Sequence, residues 1–112
     1  MNSKSEYDTP KNAEEAVELL SEAIKELKSA YAIAQKALKK AETDIGRGRD
    51  MYEEKLRLEE TIDSAKPQIA DAKKALKKAE TLSLNELGTV IGETNELAED
   101  TRSTVEDTGV LR

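Results

Sequence analysis

Histidine, cysteine, tryptophan and phenylalanine are all absent from this chain. Without cysteine there is no disulfide and no thiolate chemistry, and the redox compartment leaves no mark on the sequence. Without histidine the usual general base and the commonest metal-binding side chain are missing, so acid–base work would fall to carboxylates, lysines or the three tyrosines. Large core residues reduce to leucine, isoleucine, valine, two methionines and those tyrosines. The expected interior is therefore a thin seam between rods. No run approaches the eighteen or so apolar residues of a membrane span. Residues 1–11 are polar, with no apolar core of the kind a secretory signal requires. A cytoplasmic location is expected, with signal-less secretion as the alternative.

What is present is charge and alanine. Charged residues make up 38% of the chain and apolar ones 37%, the balance of long solvated helices. Between residues 13 and 45 the apolar positions repeat every seven residues without slipping phase. Ala13, Leu20, Leu27, Ala34 and Ala41 form one row, Ala16, Ala23, Ala30 and Ala37 a second, and Val17, Ile24, Tyr31, Leu38 and Ile45 a third. Small residues let another helix backbone approach closely, and the bulky row is expected to fill the space beside that contact. Residues 34–43 read AQKALKKAET and residues 72–81 read AKKALKKAET, nine identities in ten. A second helix of the same coiled-coil type is thereby predicted.

The boundaries follow from caps and breakers. A polar lead is expected over 1–9, then a helix over 10–44 opened by Thr9 and Pro10. Gly46 and Gly48 supply the freedom for a turn at 45–49. Asp50 and Glu53 read as the capping box of a helix over 50–81, kinked near 63–67 by Pro67, with a break at Ser64 as the competing reading. Ser83 and Glu86 form another such box, opening a helix over 84–106 whose stripe Thr94 and Thr101 dilute. A flexible tail is expected at 107–112. Folding the first two helices antiparallel sets glutamates 14, 15, 18, 22 and 26 near lysines 73, 74, 77 and 78. It likewise brings lysines 36, 39 and 40 near glutamates 53, 54, 59 and 60. Residues 82–112 carry seven acidic side chains against two arginines, so the third helix is a candidate to cover the lysine faces of the other two. The fold class is all-α, a long antiparallel helical hairpin with a shorter third helix, together a three-helix bundle.

Catalytic and metal-binding constellations are not found. Glu53 with Glu54 and Glu59 with Glu60 are helical neighbours, which point apart and make no dyad. Glu93, Glu96 and Asp100 share a face but lack a calcium loop with its glycine turn. The Gly46-Arg47-Gly48-Arg49 turn could present amides to a phosphate, yet it lacks the preceding strand and the lysine-serine ending of a phosphate loop. A connector is the simpler role. The lysine clusters fall on polar heptad positions, no aromatics interleave, and the chain is net −6, all of which argue against nucleic acid. Gly88 and Gly92 have the spacing of a helix-packing notch.

Four apolar residues leave the main stripe. Leu19 and Ile33 widen the first helix's apolar face toward a second neighbour, and Tyr52 with Leu56 projects from the outer face of the second helix. The third helix is the expected cover for Tyr52 and Leu56. The functional alternative is that these four residues dock a partner helix. The expected function is a non-enzymatic interaction or scaffolding protein, with no cofactor and no metal, that binds a protein partner or its own copy. A helical hairpin of about one hundred residues turned at a central glycine loosely resembles the W-x-G family of small secreted helical proteins and their helical export partners. The turn here has no tryptophan, and no tyrosine-x-x-x-acid signal follows the last helix. That resemblance implies a secretion partner as an alternative function. Reversible binding of an amphipathic helix to membrane surfaces is a further alternative, which co-sedimentation with anionic vesicles would detect.

Overall fold

The structure is a computed structural model that describes residues 9–112. The chain forms α1 (Ala13–Gly46), α2 (Tyr52–Lys77) and α3 (Leu84–Thr108), with a 3-10 turn at Ala79–Thr81 between the last two. Among the described residues there is no strand. The expected polar lead at residues 1–9 lies, but for Thr9, outside the described residues.

The helices pack as an all-α bundle whose core has three levels. At one end Ala16, Leu20 and Ala23 of α1 meet Ala72 and Ala75 of α2, Ala79 of the 3-10 turn, and Leu87 and Ile91 of α3. Leu27 and Ala30 meet Ala65 and Ala98 in the middle. Beside the α1–α2 corner, Ala34, Ala37 and Ala41 meet Leu58, Val105 and Val110. Residue numbers rise along α1 and α3 as they fall along α2, so α2 is antiparallel to both. The third helix packs within the same chain.

Heptad spacing explains the seam. On α1 the buried positions 16, 20, 23, 27, 30, 34, 37, 41 and 44 alternate steps of four and three, with Ile24 beside them. On α3, Leu87, Ile91, Thr94, Ala98, Thr101 and Val105 do the same. Such steps keep one stripe facing the neighbours along a whole helix. Of the bulky row on α1 only Ile24 is buried. Tyr31, Leu38 and Ile45 are half-buried, Val17 is 39% exposed, and Ala13 in the first turn is exposed. Alanines draw the backbones so close that larger side chains on the next row stay at the lip of the α1–α2 groove.

Several boundaries differ from expectation for local reasons. α1 starts at Ala13 because Asn12 Oδ1 accepts from Glu15 N at 2.8 Å, while Lys11 N donates to Glu15 Oε1 at 2.7 Å. Thr9 does not cap; its hydroxyl donates to Asn85 Oδ1 at 3.3 Å, tying the chain's entry to α3. The box expected at Asp50 and Glu53 does not form, and Met51 precedes α2 without a side-chain cap. α2 runs unbroken through Pro67. Pro67 lies on the exposed side, where solvent can satisfy the carbonyl that loses its helical donor. The Ser83–Glu86 box is present, with both reciprocal hydrogen bonds, at 3.0 and 2.9 Å. The tail expected at 107–112 is partly helix and partly core: α3 extends to Thr108, Gly109 adopts φ +65°, and Val110 turns back into the corner cluster at 2% exposure.

Two ion pairs cross from α1 and α2 to α3. Arg102 Nη1 lies 2.8 Å from Glu26 Oε1 on α1, and Arg57 Nη2 lies 3.7 Å from Asp107 Oδ2. Among the described residues no ion pair joins the α1 glutamates to the α2 lysines. α3 therefore sits along the Glu26 flank of α1 and the Arg57 flank of α2. It leaves the other groove, with its lysines, uncovered.

Candidate interaction surface

Tyr52 and Leu56 occupy the first two turns of α2, directly after the corner. Four residues apart, they share one side of the helix, away from Leu58, which points into the core at 0% exposure. They are the two most exposed large apolar side chains described, at 64% and 56%. The cover expected from α3 is absent, because α3 meets α2 on the side of Arg57 and Gln68 instead.

Leu19 and Ile33 are exposed, though less so than Tyr52 and Leu56, and they stand two heptads apart on one row of α1. Glu26 lies between them on that row and carries the ion pair to Arg102 of α3. Fourteen residues of helix separate them by about 21 Å. They thus flank α3 at two levels of the bundle. The structure does not bring them together with Tyr52 and Leu56 into one patch. Val17 and Leu111 are also exposed, Val17 against the periodicity that put it in the seam.

Polar chemistry gathers at one place the sequence did not single out. A small cleft of about 140 Å³ between α2 and α3 is lined by Glu60, Thr61, Ser64, Asp100, Thr101 and Thr104 beside Leu97. Thr101 Oγ1 is buried there without a hydrogen-bond partner. One heptad earlier Thr94 is equally buried, but its hydroxyl accepts from Gln68 Nε2 at 3.0 Å. The cleft combines hydroxyls with two carboxylates.

The corner and the acidic faces are accounted for by simpler roles. Arg47 N donates to Thr43 and Asp44 carbonyls, Gly48 N to Ile45 O, Arg49 N to Asp44 O and Met51 N to Arg49 O. Gly48 takes φ +90°, a conformation open chiefly to glycine. The turn's amides are engaged in closing the helix, which leaves none of these four to cradle a phosphate. Asp44, 4% exposed on the alanine row, is held by Lys40 Nζ at 3.2 Å. Among the described residues no group of three or more carboxylates is placed to hold a metal ion.

The α1–α2 side opposite α3 carries a longer furrow. Near the corner it opens to about 490 Å³, lined by Gln35, Lys36, Leu38, Lys39 and Glu42 of α1 and by Ile62 of α2. No helix is long and apolar enough to cross a membrane among the described residues. No protein-family model matches this chain, and no curated protein or solved structure matches it significantly.

Proposed function

We propose that this chain is a non-enzymatic helical docking module, which binds a protein partner or a second copy through apolar side chains displayed on a rigid bundle. The observation that carries the reading is the exposure of Tyr52 and Leu56, adjacent on one face and covered by no other part of the described chain. An aromatic and a leucine one turn apart form the usual anchor of a helix-to-helix contact, and both are costly to leave in water. The residue inventory supports the absence of catalysis: with no histidine and no cysteine, carboxylates and hydroxyls would have to act alone.

The test is the double variant Tyr52→Asp, Leu56→Asp. Its far-ultraviolet circular dichroism should match that of the parent, because neither side chain is in the core. Capture of a partner from the native host, or self-association measured by sedimentation at several concentrations, should be lost. A variant that unfolds would place these residues in the core. A folded variant that still captures the partner and still self-associates would remove the surface from consideration.

A further inference from the structure

We propose that the groove between α1 and α2, on the side away from α3, binds an acidic amphipathic helix of a partner protein. The proposal rests on the docking reading; its groove adjoins Tyr52 at the corner end, but its lysines and aliphatic floor are other residues, so separate variants let the two fail separately.

The floor of the groove is apolar and incompletely buried. Tyr31 and Leu38 on α1, with Ile62 and Ile69 on α2, pack against the core clusters from outside and remain half-buried. A three-helix bundle has filled one of the two grooves of its hairpin, and these side chains line the other. A fourth helix laid there would cover them as α3 covers Leu58 and Leu27 from its own side.

Charge selects the occupant. From residue 27 to residue 41, α1 carries no acid, and three of its four lysines, Lys28, Lys36 and Lys39, lie on the groove side, while Lys40 is on the α3 flank and holds Asp44. Lys36 and Lys39 line the groove, and Lys28 lies on the same heptad row as Gln35 and Glu42, which also line it. On α2, Lys55 shares the row of Ile62 and Ile69, while Lys66 and Lys73 share the next row out, with Tyr52 at its corner end. The acids on these rows gather at the two ends of the groove. Glu42 stands at the corner, Glu14, Glu15, Glu18 and Glu22 crowd the first turns of α1 at the far end together with Glu80, and Glu59 is held by Lys55 at 3.4 Å. Asp71 is on the row of Arg57 and Ser64, which faces α3. The middle of the groove is thus a basic strip on a chain whose net charge is −6.

Aliphatic floor between lysine rims is the complement of a helix with an apolar stripe flanked by glutamate or aspartate. A second copy does not offer such a helix. Its acidic α3 already spends Leu87, Ile91, Ala98 and Val105 on its own core. Nucleic acid would find phosphate-binding lysines but a floor of aliphatic side chains with a single tyrosine on which to stack.

The experiment uses the whole chain and two labelled synthetic peptides of about 20 residues, roughly the length of the basic strip. Both carry leucine at heptad a and d positions; one has glutamate on the flanks and the other lysine. Fluorescence anisotropy should show the glutamate peptide binding about tenfold or more tightly than the lysine peptide, with affinity falling as salt rises. The triple variant Lys28→Glu, Lys39→Glu, Lys66→Glu changes only exposed side chains, so its circular dichroism and melting temperature should show a folded protein. Its preference between the two peptides should reverse. Equal binding of both peptides, binding of neither, or a preference that survives the triple variant would overturn the proposal. If Tyr52→Asp, Leu56→Asp abolishes peptide binding while the lysine variant leaves it intact, the groove assignment is overturned and the Tyr52–Leu56 surface stands. If the lysine variant alters sedimentation of the chain with no peptide present, the occupant is a second copy, and the proposal is overturned in that direction.

Discussion

Thr101 shows most directly how one side chain's fate depends on its neighbours. It occupies the same stripe as Thr94, both are at 0% exposure, and only Thr94 has a partner for its hydroxyl. A buried hydroxyl without a partner loses its bonds to water and gains nothing in return, at a cost of about 1–3 kcal/mol. Thr101→Val keeps the shape and removes the hydroxyl, so it should raise stability by about 1 kcal/mol in chemical denaturation. Thr94→Val removes the acceptor for Gln68 and should bring no such gain. The sequence marked both threonines as dilution of an apolar stripe. Their burial follows from the heptad steps and was within reach of a sequence reading, but the difference between them depends on Gln68 arriving from another helix. Tyr52 and Leu56 teach the converse. Their outward direction was legible from periodicity, whereas their exposure depended on which groove α3 would choose.

At the scale of the helix, caps sort the expectations. Ser83 and Glu86 form the reciprocal box that their spacing implies, and the equally plausible pair Asp50 and Glu53 does not. The difference lies in what precedes each. Ser83 follows a short connection with extended backbone, ψ 160°, which aims its hydroxyl at the Glu86 amide. Asp50 leaves the glycine corner, and helical hydrogen bonding begins only at Lys55 N to Met51 O. Ser83→Ala should therefore cost about 1 kcal/mol, and Asp50→Ala should change stability little, both read from denaturation midpoints at constant slope. The existence, type and order of the helices were legible because their heptads are long and unbroken. The ends were less so, since Asn12 rather than Thr9 caps α1 and Val110 recruits the tail into the core, contacts that local sequence does not display.

The molecule as a whole is elongated, 53 × 31 × 18 Å, with a radius of gyration of 16.2 Å, against about 13 Å for a compact domain of roughly 100 residues. Alanine seams explain the shape: they hold long rods close together without the bulk that would round the core. Charge misled at this scale. Opposite signs along α1 and α2 agree with their antiparallel arrangement, but among the described residues they form no ion pair across it, as expected of exposed side chains that gain little from pairing. The acidic α3 was a candidate to cover the lysine faces but packs on the Glu26 and Arg57 flanks, where its apolar stripe joins the core. Burial outweighs solvated charge when the two compete for one helix.

The repeated decapeptide binds these scales together. Residues 34–43 and 72–81 lie at opposite ends of the hairpin, yet position by position they have the same pattern of buried, half-buried and exposed side chains. Only their last residues part ways, α1 running on to Gly46 while the second copy leaves α2 after Lys77 for a 3-10 turn. Two stretches that share nine residues in ten and one burial pattern, though they pack in different core clusters, should agree in the resonances that report backbone conformation. In a heteronuclear NMR spectrum the Cα secondary shifts of Ala37 and Ala75, both helical, should nearly coincide, and those of Thr43 and Thr81 should stand apart. The chain would thus report, through a pair of signals that coincide and a pair that do not, where sequence stops dictating conformation and the next turn takes over.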